Sequence, residues 1–320
     1  MRKITLGKTN AKVSVISLGT WSFGGANTSG KQAVGWAGQS DDDSKAVLIK
    51  CWERGINHWD TADVYGNGRS EEIIGSIWNA VPRNDIFLAT KVGWDRAGDN
   101  RWYDPNHMRR NMERSLNFLQ TETVDLLYLH HCNFGGNDEY FDDAMDVIRR
   151  FQEEGKTRFI GLSDWDLFKI MKFIDRVNPE VVQPYRNVWD DTYKSSGLKE
   201  YIEKNNLGVC FFSPLMHGLL TGKYASPKTF EPGDFRENIN AFKDQTIIDR
   251  IKKNTDLLKN RFSEHPFPVM HGVIDALISD SENSCVLLGQ RNVQQVDTAL
   301  SLGGPLEKED VTFVKNLYIH

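Results

Sequence analysis

The sequence predicts an α/β fold, a single (β/α)8 TIM barrel over residues 1–320 with an N-terminal β-hairpin and long loops at the C-terminal face. Short apolar runs alternate with longer amphipathic helical patterns almost from end to end. About eight such units fit the length of one barrel domain, and no linker, repeat or low-complexity segment interrupts them. An open doubly wound sheet stays as the alternative, although its G-x-G-x-x-G turn between strand and helix is missing.

The predicted strands begin with a small hairpin made of residues 3–5 and 12–14. The later runs are brief and apolar on both faces, as expected of parallel strands that helices cover. They comprise residues 15–18, 56–59, 86–90, 124–129, 158–162, 181–183, 208–212 and 285–288.

The predicted helices carry apolar stripes at three- and four-residue spacing, which we interpret as core-packing faces. The stripes are Met108, Met112, Leu116 and Leu119 in one helix and Phe141, Ala144, Met145, Ile148 and Phe151 in another. Gly55 and Gly155 are expected to follow helix ends in the left-handed conformation, and Pro105 suits the first turn of a helix.

Two stretches predict long loops. Residues 26–43 are rich in Gly and Ser, and residues 225–240 contain Pro227, Pro232 and Gly233. Loops of this length within an α/β fold are often functional.

The composition disfavours several classes of partner. The net charge is -5, and the basic residues are scattered among acids, so neither a nucleic-acid footprint nor a polybasic membrane patch is expected. The N-terminus lacks the apolar core of a signal peptide, and no apolar run approaches the ~18 residues of a membrane helix. We therefore expect a cytoplasmic protein.

Disulfides and metal sites are also disfavoured. The 4 cysteines are far apart and form no CxxC pair, which predicts buried free thiols in a reducing compartment. They are Cys51, Cys132, Cys210 and Cys285. His130 and His131 are neighbours on a predicted strand and face opposite ways, so they cannot share one metal.

Polar and aromatic residues follow the predicted strands at their carboxyl ends, where a barrel enzyme builds its active site. They lie at positions 20–21, 60, 91, 130, 163–164, 183–185, 213 and 289–291. Among them, and on the loop after Asp60, the catalytic candidates are Asp60, Tyr65, Lys91 and His130.

These four side chains suit general acid catalysis. A free phenol has a pKa near ~10 and is a weak acid at neutral pH. We expect Lys91 to lower the pKa of Tyr65, Asp60 to keep Lys91 charged, and His130 to orient a substrate carbonyl. A general acid contributes ~10²–10⁴ in rate.

Each candidate also has a structural interpretation. Asp60 alone suits an Asx-turn, Tyr65 an amphipathic loop position, and Lys91 a salt bridge at the rim. Their occurrence together at successive strand ends favours the catalytic interpretation.

Three segments resemble motifs of the aldo-keto reductase family. They are HWDTADVYGNGRSEEIIG with Asp60 and Tyr65, LATKVGW with Lys91, and VDLLYLHHC with His130. The resemblance extends over nearly the whole chain. It implies reduction of an aldehyde or ketone by NADPH, or the reverse oxidation of an alcohol, with Tyr65 protonating the carbonyl oxygen.

The resemblance also implies cofactor contacts in GKTRFIGLSDW, FFSPLMHGLLTGKY and GQRNVQQV. Within these segments they are Ser163, Asp164, Phe212, Ser213, Pro214, Leu215, Gly218, Lys223, Gly289, Arg291 and Gln295. Outside them the resemblance implies Thr20, Trp21, Gln183 and Arg236. Because a guanidinium suits a 2′-phosphate, NADP is favoured and NAD is the alternative.

The chain departs from the family pattern at the cofactor segments. Asp164 replaces an Asn, so it accepts hydrogen bonds only and is expected to pair with the carboxamide NH₂. Thr298 and Ala299 replace a Glu-Asn pair at the adenine, and Gln290 replaces a small residue beside the phosphate.

Three functions stay open at this point. The first is an oxidoreductase for a small carbonyl or alcohol substrate, and Trp21, Trp36 and Trp94 suggest a sugar or an aromatic aldehyde. The second is a nucleotide-sensing subunit, since potassium-channel beta subunits share this fold. The third is a structural barrel with a relic site.

Overall fold

The computed structural model describes residues 1–29, 31–95 and 101–318. Its strands are β1 Lys3–Thr5, β2 Lys12–Ser14, β3 Ile16–Gly19, β4 Thr28–Ser29, β5 Gln32–Ala33, β6 His58–Asp60, β7 Phe87–Val92, β8 Val124–Leu129, β9 Thr157–Asp164, β10 Val181–Pro184, β11 Gly208–Phe211 and β12 Ser284–Gly289. Strands β3 and β6 to β12 are parallel and close into a barrel through the pairing of β12 with β3. The predicted (β/α)8 barrel is confirmed, and the open sheet is wrong.

Helices surround the barrel. They are α1 Asp41–Glu53, α2 Arg69–Gly75, α3 Pro105–Phe118, α4 Phe141–Glu153, α5 Leu167–Val177, α6 Thr192–Ser195, α7 Leu198–Asn205, α8 Gln245–Arg261, α9 Pro268–Met270, α10 Ala276–Ser279, α11 Val293–Leu300 and α12 Lys308–Tyr318. A π-helical segment, His271–Asp275, joins α9 to α10. Within the described part of the chain, no helix combines the length and the apolarity that crossing a bilayer requires.

The helix signals in the sequence are confirmed. Pro105 is the first residue of α3, and Gly55 and Gly155 follow α1 and α4 with φ of 80° and 73°. The α3 and α4 stripes are buried in the main core. A second buried cluster, built on α8, supports the segment after β11.

The N-terminal hairpin of β1 and β2 lies at the end of the barrel opposite the mouth. The Lys8 amide donates to the carbonyl of Asn206, just before β11, over 2.7 Å. Gly7 has φ 48°, and a Cβ there would lie 2.1 Å from the Gly208 nitrogen, so only glycine fits.

Two long loops meet at the other end, where the strands finish. We call the described residues of 26–40 loop A and residues 225–240 loop B. The Phe235 amide donates to the Gly35 carbonyl over 2.8 Å, and the Ala37 amide donates to the Asp234 carboxylate over 3.2 Å. The first loop was predicted to extend to residue 43, but it contains the short strands β4 and β5 and ends where α1 begins at Asp41. The two loops form one joined rim.

Candidate active site

Asp60, Lys91 and Tyr65 meet at the barrel mouth. Asp60 ends β6, Lys91 lies near the end of β7, and Tyr65 lies on the loop between β6 and α2. The Lys91 ammonium donates to the Asp60 carboxylate, to the Thr61 carbonyl over 2.8 Å and to the Tyr65 hydroxyl over 3.1 Å. The ammonium of a distant strand thus joins an acid and a phenol that lie close together in the sequence.

The Lys91–Asp60 ion pair is buried. Lys91 is 1% exposed and Asp60 is 2% exposed. Burial has the largest single effect and would lower the pKa of Lys91, but the charges of Asp60 and Tyr65 and the hydrogen bonds to both together outweigh it and raise the Lys91 pKa above its ordinary value. Lys91 therefore stays charged at neutral pH.

Lys91 lowers the pKa of Tyr65, as expected, but it does not determine the net direction. Burial has the larger effect, the Asp60 charge adds to it, and the pKa of the phenol is raised above its ordinary value. Tyr65 is accordingly a protonated donor at neutral pH.

His130 follows β8 and faces the same site. Its ring centroid lies 6.0 Å from that of Tyr65 and 5.8 Å from that of Trp94. Burial, and then the Lys91 and His131 charges, lower the pKa of His130 well below its usual value, so the imidazole is neutral. Its Nδ1 is buried and has no hydrogen-bond partner among the described residues.

His131 follows His130 just after β8, which ends at Leu129, so the expected alternation along a strand does not apply to the pair. Its ring lies against the Gly93 carbonyl through Nε2 at 2.9 Å and accepts from the Asn133 amide at Nδ1 over 3.0 Å. The two histidines therefore do not converge on one metal.

Short contacts hold the Tyr65 loop in place. A Cβ on Gly66 would lie 2.3 Å from the Gly24 carbonyl oxygen, and Gly66 has φ 63°, so the two backbones touch only as glycines. Trp21 stacks on the Tyr65 ring with centroids 6.0 Å apart.

Two of the expected cofactor contacts also support Asp60. The Thr20 hydroxyl donates to the Asp60 carbonyl over 2.8 Å, and Thr20 is 0% exposed. The Gln183 amide donates to the second Asp60 carboxylate oxygen over 2.8 Å. The sequence carried no signal for either bond, because both join segments that are far apart.

Ser163 and Asp164 end β9, and both are buried. The Asp164 carboxylate accepts from the Cys132 amide over 2.6 Å and from the Asp166 amide over 2.8 Å. Each oxygen keeps a second lone pair, so the carboxylate fixes two turns and still has acceptor capacity.

The segment after β11 has an unusual backbone. Ser213, Met216 and His217 have φ of 55°, 46° and 58°, the left-handed region that most side chains avoid. Gly218 follows with φ 90°, and Lys223 is exposed nearby. Phe212, Pro214 and Leu215 pack in the same turn. Such strain persists where surrounding structure enforces it, commonly at ligand sites.

Two guanidinium groups lie where loops A and B meet β12. Arg236 binds the Asp234 carboxylate in a two-pronged pair with distances of 2.8 and 2.6 Å. Arg291 donates to the Gln39 side chain over 3.0 Å and to the Ala37 carbonyl over 2.6 Å. Burial, and then the neighbouring Arg236 charge, lower the pKa of Arg291.

The remaining candidates flank Arg291. A Cβ on Gly289 would meet no atom within 4 Å, so this strand end is open. Gln295 accepts from the Arg291 amide over 2.8 Å. Gln290, which follows β12, is 1% exposed, and its side-chain oxygen accepts from the Cys51 thiol.

An aromatic cluster that the sequence analysis missed covers the site. His217, Phe235 and Trp165 join Trp21 and Trp36, with centroid distances of 5.0 Å for Trp21–Phe235 and 5.9 Å for Trp165–His217. Burial, and then the Arg236 charge, lower the pKa of His217 to about 4. The available signal was the concentration of aromatic residues in the segments beside Arg236 and Ser213.

The residues present fit a nicotinamide dinucleotide. A neutral imidazole with an unpaired buried nitrogen lies beside a phenol, and an exposed lysine, two guanidiniums and an open strand end lie along the rim. The first set suits a carbonyl group and the second suits phosphates.

Comparison with known proteins gives consistent results. The model of the Aldo/keto reductase family matches residues 15–319. L-galactose dehydrogenase of Arabidopsis thaliana is 31% identical over 68% of this chain and 66% of its own length. A probable voltage-gated potassium channel subunit beta of the same plant is 28% identical over 92% of this chain and 89% of its own. The structure of a glycerol dehydrogenase from Gluconobacter oxydans matches with a TM-score of 0.82 and 27% identity, covering 98% and 94% of the two chains.

Proposed function

The chain belongs to the aldo/keto reductase family, and we propose that it is an NADP(H)-dependent oxidoreductase that interconverts a small carbonyl compound and its alcohol. The observation that carries this proposal is the Tyr65 hydroxyl, bonded to a buried Lys91–Asp60 pair beside the neutral His130. This arrangement serves proton transfer to or from an oxygen atom.

Tyr65 is the proton donor in the proposed reduction. The nicotinamide, when bound, supplies the hydride that forms the new C–H bond. The phenol transfers its proton to the carbonyl oxygen, and the resulting phenolate is stabilised by the Lys91 ammonium 3.1 Å away. Asp60, held from its other side by Gln183, keeps that ammonium charged and in place. His130 donates to the carbonyl oxygen and orients the substrate.

The proposed cofactor contacts follow the rim. Ser163 and Asp164 serve the carboxamide, Phe212 stacks on the nicotinamide ring, and the turn from Ser213 to Lys223 serves the pyrophosphate. Arg236 and Arg291 serve the adenosine end, with Gly289 leaving room. The paired guanidiniums favour a 2′-phosphate, hence NADP, with NAD as the alternative.

The proposed substrate is a small polyhydroxylated compound such as a sugar or polyol, with aromatic aldehydes as the alternative. Trp21 stacks against Tyr65, and Trp94, 37% exposed, lies against His130. Flat aromatic faces beside polar atoms suit the alternating faces of sugars. The names of two related proteins, an L-galactose and a glycerol dehydrogenase, point to the same class. The four buried free cysteines favour a cytoplasmic location.

A panel of aldehydes, ketones, sugars and polyols, assayed with NADPH and NADH through nicotinamide absorbance, tests the activity. Tyr65→Phe is expected to lower kcat by ~10²–10⁴ and to keep NADPH binding. Tyr201→Phe removes a phenol that bonds to Asp175 on the helical surface and is the matched control. If Tyr65→Phe turns over like the wild type, Tyr65 is not the donor.

A nucleotide-sensing subunit is the second candidate, because the potassium channel subunit relative covers 92% of the chain. It predicts tight NADPH binding with no turnover of any panel member. Turnover that depends on Tyr65 excludes it as the sole function.

A further inference from the structure

His58, Cys210 and Cys285 meet inside the barrel, on β6, β11 and β12. Their donor atoms all lie within 4.8 Å of one another, and all three residues are buried. The Cys210 and Cys285 sulfurs are 3.2 Å apart, and the Cys285 sulfur is 3.6 Å from His58 Nδ1. Neither the catalytic site nor the proposed cofactor contacts include any of them.

The position of this cluster follows from the strand order. β3 separates β6 from β12, so His58 and Cys285 touch only because both side chains point into the barrel. His58 and Asp60 are two residues apart on β6 and therefore share one face. The cluster thus lies one layer below the Asp60–Lys91 pair.

Two thiols and one imidazole form a soft donor set for a thiophilic cation. Zinc–sulfur bonds of ~2.3 Å in a tetrahedral site place two sulfurs ~3.8 Å apart, which is within ~0.6 Å of the present separation. Two thiolates also cancel the charge of a divalent cation, so the loaded cluster is neutral. Neutrality matters because each of the three residues is 0% exposed.

His58 presents Nδ1 to the cluster, since this nitrogen is the one that lies 3.6 Å from the Cys285 sulfur. The Ser17 hydroxyl lies 3.0 Å from the same nitrogen and also donates to the Ser14 carbonyl over 3.2 Å. Metal binding therefore uses Nδ1 as the ligand atom, with the ring proton on Nε2, and it replaces the Ser17–His58 hydrogen bond with a bond to the metal.

We propose that Cys210, Cys285 and His58 bind one Zn²⁺ ion inside the barrel. Binding forms two zinc–sulfur bonds and one zinc–nitrogen bond, a water molecule supplies the fourth ligand, and the two thiol protons are released to solvent. The bound ion links three strands beneath Asp60 and is a structural element. This site departs from the expectation of free thiols and no metal.

Titration of the reduced, chelator-treated full chain with Co²⁺, followed by Zn²⁺, tests the proposal. We expect about one Co²⁺ per chain with a sulfur-to-cobalt charge-transfer band, displaced by Zn²⁺. Cys210→Ala and Cys285→Ala are each expected to remove the band and weaken binding at least tenfold, on the order of a lost ligand interaction. Cys51→Ala removes a buried thiol outside the cluster and is expected to bind like the wild type.

Circular dichroism of each variant establishes that it is folded. Zn²⁺ is expected to raise the thermal unfolding midpoint of the wild type and of Cys51→Ala, but not that of Cys210→Ala or Cys285→Ala. A titration without the charge-transfer band overturns the proposal, as does a band that survives in both cluster variants. A Cys210–Cys285 disulfide in freshly purified protein, detected as two missing thiols after denaturation without reductant, also overturns it.

Discussion

Replacing Lys91 with methionine tests the buried ion pair at the barrel mouth. The substitution keeps an unbranched side chain and removes the ammonium that serves Asp60, the Thr61 carbonyl and the Tyr65 hydroxyl. Asp60 then keeps only the Gln183 amide as a side-chain partner in the network described above. Breaking a buried pair from one side costs about 3–5 kcal/mol, because the remaining charge is left uncompensated. We expect Lys91→Met to lose that much of the free energy of unfolding.

Urea denaturation measures the loss as a shift of the midpoint at unchanged m-value. Lys50→Met is the matched control, because Lys50 pairs with Asp297, which is 54% exposed, and an exposed pair contributes at most about 1 kcal/mol. Asp60→Asn combined with Lys91→Met is expected to recover part of the loss, since no buried charge remains. A Lys91→Met midpoint within about 1 kcal/mol of the wild type would refute the reasoning.

Three further predictions concern the loops and the rim. Gly66→Ala is expected to displace the Tyr65 loop and lower both stability and turnover, whereas Gly136→Ala, where a Cβ meets nothing within 4 Å, is expected to be neutral in urea and in the assay. The pKa of His217 is about 4 in the folded protein and ~6.5 in the unfolded chain, so the unfolded chain binds more protons between these two pH values. The free energy of unfolding is therefore expected to fall as the pH drops from ~6.5 to about 4. The His217→Gln variant is expected to show a smaller fall over this range. Arg291→Met is expected to weaken NADPH binding at least tenfold and NADH binding less, as measured by fluorescence titration.

Each of these has a contrary outcome. Equal midpoints for Gly66→Ala and Gly136→Ala would show that the Gly24 contact is not restrictive. If the stability of His217→Gln depends on pH in the same way as that of the wild type, a group other than His217 causes the dependence. If Arg291→Met weakens NADPH and NADH binding equally, Arg291 does not contact the 2′-phosphate.

The strand pattern was readable because buried parallel strands are continuous apolar runs. β8 matches its predicted limits at both ends, whereas β6 starts and ends later than predicted. Asp60 extends β6 because it pairs with Gly19 and Ala89 on both sides, and a polar residue at a strand end gives no apolar signal. The hairpin was found at its observed limits.

The convergence of Asp60, Tyr65 and Lys91 was predictable because the fold brings strand ends together. The net pKa shift of Tyr65 was not, because burial raises this pKa and depends on folded neighbours such as the Trp21 ring. The pairing of Cys210 with Cys285 was also hidden, since it depends on the register between β11 and β12. The spacing of residues along the sequence does not show how deeply a side chain is buried or which residues of two paired strands lie opposite each other.

The hydrogen bonds that Arg236 and Arg291 make within the protein affect which anionic groups these two side chains would bind. Arg236 and Arg291 already have acceptors, a carboxylate for one and an amide and a carbonyl for the other. Each guanidinium has five N–H donors, so these bonds fix the orientation of the group and leave further donors for the phosphate that we propose binds here. A dianion at this position is expected to be preferred over a neutral hydroxyl by Coulomb attraction, and this preference should decline steeply as ionic strength rises.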